Sequence, residues 1–169
     1  DIDLCLPMFS LPRLFGTRLE TIPNAIPYLS VPEGMATPSL PESGPDSMVH
    51  KKIGLIWSGK SRQGFKFQSL TPVLELPGFQ FFSLQPDTDH QEIQGTGVTD
   101  LSPYMGDFAA TATLMNQMDL IISIETAAAH LAGALGMPLW VLLSHSADWR
   151  WLAEGEETPW YPHARLFRQ

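Results

Sequence analysis

The sequence predicts an α/β fold built on a Rossmann-like parallel sheet with helices on both faces. Three observations in residues 119–143 support this prediction. Residues 119–125 form a β-branched, apolar run that ends in a carboxylate, the next eleven residues are mostly small helix formers, and a second apolar run starts after Pro138. A strand, a helix and a strand in this order form a βαβ unit, whose two strands are parallel. Both runs are apolar throughout, as expected for strands covered on both faces.

The start of the helix in this unit is a candidate anion site. Thr126 occupies the position of an N-cap, and Ala127, Ala128 and Ala129 let a ligand approach the backbone closely. A helix N-terminus carries free N–H groups and a partial positive charge. His130 lies four residues after Thr126 and therefore on the same face of the helix. The alternative is that the alanines only pack the helix on the sheet and that His130 only covers a surface.

Length, charge and cysteine content limit the possible functions. A chain of 169 residues with 44% hydrophobic residues is long enough for one domain with a sizeable core. A net charge of −8 argues against nucleic acid or an anionic membrane surface as a partner. The single cysteine, Cys5, cannot form an internal disulfide, so we expect a reducing, cytoplasmic location. No apolar run approaches the length of a membrane span, so we expect none. Because the chain starts at Asp1 rather than at methionine, we expect a fragment.

The first 50 residues are distinct because they hold eight of the fifteen prolines, which exclude long helices and central strands. We predict that residues 1–50 are an extended interdomain arm and linker, with residues 1–26 ordered and residues 32–48 flexible. An ordered arm requires burial of its apolar side chains, which are Leu4, Leu6, Met8, Phe9, Leu11, Leu14 and Phe15. The folded domain is predicted to span residues 51–169.

The elements of that domain follow in the order β-α-β-β-α-β-α-β. The five strands of this order are predicted at residues 52–57, 79–85, 98–101, 120–124 and 139–143, and the helices at residues 70–76, 107–118 and 126–135. Residues 166–167 are a candidate for one further strand at the end of the chain. Residues 87–97 are predicted to be a polar loop. The helix at 107–118 is amphipathic, with Phe108, Ala112, Met115 and Met118 on its buried face.

A polar, glycine-punctuated loop, residues 58–66, follows the first strand. It carries Lys60, Arg62 and Lys66, so three of the ten basic residues of an acidic chain fall within seven positions. In a parallel sheet this loop lies at the carboxyl edge, where open α/β folds bind ligands. The alternative is three solvated surface charges.

Residues 144–151, with the sequence SHSADWRW, form a second polar loop at the same predicted edge. His145, Asp148 and Arg150 are its polar candidates. The pattern favours Trp149 and Trp151 as packing residues over a base-stacking platform.

Residues 54–61 match the literal G-x-x-x-x-G-K-[ST] phosphate loop. That loop requires a strand that ends before the first glycine and a helix that starts at the Lys-Ser pair. Here Leu55, Ile56 and Trp57 continue the strand and Arg62 does not begin a helix, so a P-loop nucleotidase is the weaker alternative. The sequence has no G-x-G-x-x-G fingerprint and no Cys/His cluster with metal-ligand spacing, and we expect neither a metal nor a cofactor.

The central segment, DLIISIETAAAHLAGALGMPLWVLL, resembles the carboxyl-terminal domain of the heptosyltransferase-like glycosyltransferases of family 9, in particular relatives fused to tetratricopeptide repeats. In those relatives the strand ends in Asp-Thr, followed by small residues and His-Leu-Ala. Further segments are similar in the same order, namely residues 10–17, 21–23, 148–152, 159–162 and 165–169. The resemblance covers most of the chain except residues 32–48.

The resemblance implies the GT-B arrangement, in which two Rossmann-like domains face a cleft. This chain would be the carboxyl-terminal domain of an inverting transferase, and it would hold the donor, an ADP- or UDP-linked nucleotide sugar. The acceptor site and the general base are expected on the amino-terminal domain, so the fragment alone should be inactive and no catalytic residue is assigned to it. Self-association would cover the surface that the other domain buries. The alternative is a non-catalytic nucleotide-binding or assembly module.

The resemblance also assigns roles by position. Thr126, Ala127 and Ala128 would offer hydroxyl and N–H groups to the diphosphate, Glu125 stands where Asp is usual near the sugar, and His130 matches the family histidine. Lys60, Arg62 or Lys66 would neutralise the leaving diphosphate without a metal. The complete candidate site is Ser58, Gly59, Lys60, Lys66, Glu125, Thr126, Ala127, Ala128, His130 and Asp148. The departures from the family pattern are Glu125 itself and a shortened loop after the first strand.

Overall fold

The computed structural model describes residues 5–41, 51–59, 65–86 and 89–169. Within these ranges, six strands form one sheet: β1 (Lys51–Ile56), β2 (Phe79–Ser83), β3 (Thr99–Asp100), β4 (Leu120–Ile124), β5 (Leu139–Leu143) and β6 (Ala164–Arg168). The α-helices are α1 (Leu11–Leu14), α2 (Thr71–Leu74), α3 (His90–Ile93), α4 (Phe108–Met115) and α5 (Ala127–Ala134). Short 3₁₀ helices lie at Met8–Ser10, Leu19–Thr21, Phe67–Leu70, Ser102–Tyr104 and Trp149–Trp151.

All five strand pairs are parallel, and the strand order is β3-β2-β1-β4-β5-β6. This is the order of a Rossmann sheet, whose direction of winding reverses between β1 and β4. The central βαβ unit is as predicted, because β4 and β5 pair in parallel with Ile121 opposite Leu139. Ligands of such sheets bind outside the carboxyl ends of the strands at the point of reversal.

Helices cover both faces of the sheet, which confirms the predicted fold class. Successive residues of a strand point to opposite faces, so Ile121 and Ile122 belong to two different cores. The larger core lies under α4 and α5 and includes Phe82, Leu84, Leu114, Met115, Ile121, Ala129, Val141 and Leu166. The smaller core lies under α2 and α3 and includes Ile53, Leu55, Trp57, Phe67, Leu70, Phe81, Ile93 and Ile122. At β5 the face of the sheet that carries the smaller core is covered less completely, and Trp140 is 39% exposed there.

Several predicted element bounds were wrong. The helix predicted at 70–76 begins as the 3₁₀ helix Phe67–Leu70 and ends in α2. The loop predicted at 87–97 contains α3, whose N-cap is Asp89, because the carboxylate of Asp89 accepts a hydrogen bond from the N–H of Gln91 at 2.9 Å. Phe108, predicted to lie on the buried face of α4, is 62% exposed at the first turn, whereas Met115 and Met118 are buried as predicted.

The apolar side chains of the arm are not buried, contrary to the prediction for residues 1–26. Leu6, Met8, Phe9, Leu11, Leu14 and Phe15 are all exposed, up to 77% for Phe15, and Leu4 lies outside the described residues. Leu11, Leu14 and Phe15 are spaced to share one face of this short helix, and no described element of the domain covers that face.

The later part of the arm does pack on the domain. The N–H groups of Tyr28 and Leu29 both donate to the carbonyl of Ala134 at the end of α5, at 3.0 and 3.2 Å. Ile26 packs against the larger core, and Leu40, which falls in the segment predicted to be flexible, is 7% exposed and belongs to that core. Leu40 therefore anchors the end of the described part of that segment on the fold, and residues 42–48 lie outside the described residues. Whether residues 1–50 connect two domains stays a prediction.

None of the described helices is long and apolar enough to cross a membrane. The longest of them, α4 and α5, have eight residues each, whereas a bilayer span needs about 20.

Gly54, at the centre of the sheet, is predicted to be intolerant of a side chain. A Cβ at this position would lie 2.6 Å from Cδ1 of Leu84 and 2.8 Å from Cδ1 of Ile121, both fully buried. Overpacking of this kind costs about 1–3 kcal/mol, so Gly54→Ala should lower the free energy of unfolding by that amount in urea titrations. Gly106→Ala is the matched control, because a Cβ there meets nothing within 4 Å. Equal stability of the two variants would contradict this account of the core.

Candidate functional site

A pocket of about 560 Å³ lies at the carboxyl edge of the sheet, beside the start of α5. Its lining residues are Tyr28, Glu125, Thr126, Ala127, His130, Trp149, Arg150, Trp160 and Tyr161. They come from the arm, from the turn between β4 and α5, and from the loops between β5 and β6. The volume is in the range of pockets that bind small molecules.

The turn from β4 into α5 forms one side of the pocket. Thr126 has the extended backbone of an N-cap (φ −133°, ψ 169°), as predicted, and its carbonyl accepts from the N–H of Ala129 at 3.1 Å. Its hydroxyl does not cap the helix, and Oγ1 instead lies 3.3 Å from Oγ of Ser123. The first N–H groups of an α-helix have no partner within the helix. The end of α5 that lines the pocket therefore presents these donors to a ligand.

A chain of hydrogen bonds connects the loop after β5 to this turn. The N–H of Asp148 donates to Oε1 of Glu125 at 2.7 Å. The Asp148 carboxylate in turn accepts from the N–H of Arg150 at 3.0 Å and from Nη1 of Arg150 at 2.7 Å. The Arg150 guanidinium also lies 4.9 Å from the ring centroid of Phe9 and 5.2 Å from that of Trp149. Arg150 is thus a positive charge fixed at the pocket by one carboxylate and two aromatic rings.

His130 is held inside the wall of the pocket. Its ring stacks on Trp151 with centroids 5.1 Å apart and planes at 14°, and its Nδ1 lies 2.9 Å from the hydroxyl oxygen of Tyr161. Burial, and then the positive charge of Arg150, hold the pKa of His130 below its usual value of 6.5, with Asp148 opposing them. His130 is therefore a neutral imidazole at pH 7, and it acts as a hydrogen-bonding group rather than as a cation.

Tyr161 reaches His130 because α5 has a glycine where the two elements meet. A Cβ at Gly133 would lie 2.5 Å from the ring of Tyr161, so the close packing depends on the missing side chain. Burial raises the pKa of the Tyr161 hydroxyl, and the neighbouring hydroxyl of Tyr28 adds to the effect. Tyr161 therefore stays protonated and links the arm, through Tyr28, to the histidine of α5.

The loop after β1 meets the same edge of the sheet. A Cβ at Gly59 would lie 3.2 Å from Cγ2 of Thr126, which places this loop against the turn into α5. The N–H of Ser58 donates to Oε1 of Gln85 at 3.0 Å, at the end of the neighbouring strand. Lys66 is exposed, precedes the 3₁₀ helix Phe67–Leu70 and is not among the lining residues. Lys60 lies outside the described residues.

The structure brings together part of the predicted site. Glu125, Thr126, Ala127 and His130 line the pocket, and Asp148 is bonded to two of its lining residues. Ala128 packs against the larger core instead, because the second residue of α5 is turned by about 100° from the first, Ala127, which lines the pocket.

Aromatic residues of the pocket were missed or misjudged. Trp151 is 1% exposed and packs as predicted, but Trp149 is 53% exposed and lines the pocket. Tyr28, Trp160 and Tyr161 were not assigned to the site, although an aromatic pair followed by proline in a loop is a signal that could have drawn attention to Trp160 and Tyr161.

The two other classes of site considered above find no support in the described residues. Gly54 lies inside β1 and pairs with Ile121 of β4, so the first glycine of the literal phosphate-loop motif is part of a strand. In the described ranges, no group of three or more His, Cys, Asp or Glu residues is placed to hold a metal ion.

Comparison with known proteins gives two findings. The chain is 34% identical over 131 residues to Protein FlbA of Caulobacter vibrioides, a match that covers 69% of this chain and 22% of FlbA. It also superposes on the crystal structure of the glycosyl transferase family 9 from Veillonella parvula DSM 2008 with a TM-score of 0.51 and 15% identity, covering 76% of this chain and 36% of that chain. No family model matches.

The structural match shows the fold, and the two coverages show how much of each relative this chain spans. At 15% identity the structural likeness shows a shared α/β fold and no more than that. The chain spans about a fifth of the length of FlbA and about a third of the solved glycosyltransferase chain.

The neutral state of His130 predicts a pH dependence of stability. At pH values between the lowered pKa of His130 in the folded chain and 6.5, the unfolded chain binds more protons at this residue than the folded chain does. The free energy of unfolding therefore falls as pH drops through this window, and the full stability is present above pH 6.5. Replacement by glutamine removes the titrating group. We therefore expect His130→Gln to flatten this part of the curve in urea titrations at a series of pH values from about 7.5 to about 5.

His163→Gln is the matched control, because His163 is exposed on the loop before β6 and does not line the pocket. An unchanged pH dependence in His130→Gln, or an equal change in the two variants, would show that burial of His130 does not set its charge state.

Proposed function

We propose that this chain is the donor-binding half of an inverting glycosyltransferase, and that the pocket beside α5 holds the diphosphate of an ADP- or UDP-linked nucleotide sugar. The observation that carries the proposal is the convergence of Arg150 with the start of α5 at the carboxyl edge of a Rossmann sheet. Edge position, free helix N–H groups and a fixed guanidinium are the features that bind a diphosphate in α/β folds. The fold shared with a family 9 glycosyl transferase supports this assignment.

Arg150 supplies the positive charge of the proposed site. The chain carries a net charge of −8, and Glu125 and Asp148 lie next to the pocket, so a diphosphate needs a local cation to enter. The resemblance assigned that role to Lys60, Arg62 or Lys66, of which Lys60 and Arg62 lie outside the described residues. Among the described residues of the pocket, Arg150 takes it, and its planar guanidinium can donate two parallel hydrogen bonds to phosphate oxygens.

The remaining polar residues are suited to orient the sugar and the leaving group. Thr126 and Ala127 would donate their N–H groups to the diphosphate, and the neutral ring of His130 lies in the adjoining wall. Glu125 would accept hydrogen bonds from sugar hydroxyls. In transfer, the acceptor oxygen would bond to the anomeric carbon, with loss of its proton to the general base, as the bond from that carbon to the diphosphate breaks. The helix N-terminus together with Arg150 would stabilise the negative charge that develops on the departing diphosphate oxygen. We propose that the general base for the acceptor hydroxyl lies on another domain.

A non-catalytic nucleotide-binding module is the second candidate. It is favoured by the bond from the Asp148 N–H to Oε1 of Glu125, because this bond occupies one acceptor position of the carboxylate that would otherwise face a sugar. Both candidates require nucleotide binding, and they differ in whether the longer protein transfers a sugar.

Arg150→Gln should weaken the binding of ADP and UDP about ten- to a hundredfold, since hydrogen bonds to charged groups contribute about 1.5–3 kcal/mol. It should also reduce the salt dependence of binding, because a charge attracting the ligand has been removed. Isothermal titration calorimetry at two ionic strengths measures both effects.

Arg165→Gln is the matched control for this experiment. Arg165 also pairs with a carboxylate, Glu156 at 2.8 Å, and lies 5.4 Å from a ring centroid, that of Phe167, but it is outside the pocket. The proposal fails if neither nucleotide binds to the wild-type chain, or if the two arginine variants lose affinity equally.

The purified chain alone should transfer no sugar, because the general base and the acceptor site are proposed to lie elsewhere. The measurement is release of nucleoside diphosphate from ADP- and UDP-sugars in the presence of added acceptors. Acceptor-dependent turnover by this chain would show that it carries its own base, and turnover by a longer protein containing it would favour the enzyme over the non-catalytic module.

A further inference from the structure

One wall of the pocket is built from aromatic rings. Trp149 and Trp160 meet edge to face, with centroids 6.2 Å apart and planes at 80°. Tyr28 and Tyr161 continue the same wall. A second cavity of about 420 Å³ shares three of these rings, and its lining residues are Pro23, Ala25, Tyr28, Trp160 and Tyr161. The aromatic wall therefore extends beyond the part of the pocket that faces the start of α5.

The two tryptophans of the 3₁₀ helix Trp149–Trp151 lie in opposite environments. Trp151 is 1% exposed and stacks on His130, whereas Trp149 is 53% exposed. Core packing therefore explains the presence of Trp151 but not that of Trp149. An exposed indole at the rim of a cavity leaves a large apolar surface in water, which a ligand with a flat face would cover.

The exposed ring is held in a defined position. Asp148 caps the 3₁₀ helix by accepting from the N–H of Arg150, and the Arg150 guanidinium lies 5.2 Å from the Trp149 ring centroid. Trp160 supports the same ring from the loop before β6. A ring fixed in this way loses little conformational entropy when a ligand stacks on it.

We propose that Trp149 and Trp160 form a stacking platform for the nucleobase of the bound nucleotide. The inference rests on the proposed function, which places the diphosphate between Arg150 and the start of α5. Because Arg150 neighbours Trp149 directly, a base attached through its ribose to that diphosphate would reach the aromatic wall. Every base has a π face, so stacking tolerates different bases, and the platform should accept both adenine and uracil.

The test compares ligands with and without a base on the complete chain. Isothermal titration calorimetry with ADP, inorganic pyrophosphate and glucose 1-phosphate is carried out on the wild type, Trp149→Ala and Trp149→Phe. Trp149→Ala should weaken ADP about ten- to a hundredfold while leaving pyrophosphate unchanged, and Trp149→Phe should restore most of the affinity for ADP because it keeps a π face.

Trp140→Ala is the matched control. Trp140 is also exposed, at 39%, and also packs against one aromatic ring, that of Phe167 at 4.9 Å, but it lies on β5 away from the pocket. This variant should bind ADP as the wild type does. Thermal unfolding of each variant confirms that the compared chains are folded.

The possible outcomes separate the platform from the proposed function. If pyrophosphate and ADP bind but Trp149→Ala weakens both equally, or weakens neither, the platform is wrong and the diphosphate site stands. If Trp149→Ala weakens glucose 1-phosphate and not ADP, the rings face the sugar and the assignment to the base is overturned. If the wild-type chain binds neither ADP nor pyrophosphate, the proposed function and the platform fail together.

Discussion

The parallel pairing of β1 with β4 is the constraint on which the rest of this structure depends. Over the paired strands, the side chains of Leu84 and Ile121 occupy the space that a side chain at Gly54 would need. At the amino-terminal edge, the Asp119 carboxylate accepts from the N–H of Lys52 and from Nζ of Lys51, both at 2.8 Å, and these bonds hold its pKa below the usual value of 3.8. Because the strands are parallel, their carboxyl ends must emerge at one edge, and the loops that follow them must meet there.

The pocket at that edge depends on small residues in α5. Gly133 admits the ring of Tyr161, and a Cβ at Gly136 would lie 3.1 Å from Cγ2 of Ile26, so the arm approaches the end of the same helix closely. Larger side chains at these positions would push the arm and the loop before β6 outward and open the aromatic wall. Two distant segments of the chain, the arm and the loop before β6, thus pack on this short apolar helix. Its small residues allow both the packing and the shape of the pocket.

Electrostatics inside the pocket differ from those of the whole chain. The net charge of −8 describes a surface that repels anions, yet Arg150 places a cation at the start of α5, held by Asp148 and by two aromatic rings. His130 contributes no charge at pH 7, because burial against Trp151 and the charge of Arg150 keep it neutral. Among the described residues of the pocket, a diphosphate would therefore meet one fixed cation, Arg150, beside the carboxylates of Glu125 and Asp148, together with helix N–H groups and a neutral imidazole.

The sequence alone determined the parts of this protein that follow from local pattern. An apolar strand, a run of small helix formers and a second apolar strand at residues 119–143 required a parallel βαβ unit, and the turn at Glu125 and Thr126 followed from it. Tertiary structure decided which distant segments join that turn: Tyr28 from the arm, and Trp149, Arg150 and Trp160 from the connection between β5 and β6. It also decided that Phe108 is exposed and that His130 is neutral. The physical reason is that the periodicity of a sequence shows only which face of an element is apolar. Contacts between remote segments depend on how the packed elements fit together in space, for example on the close approach that Gly133 allows to Tyr161.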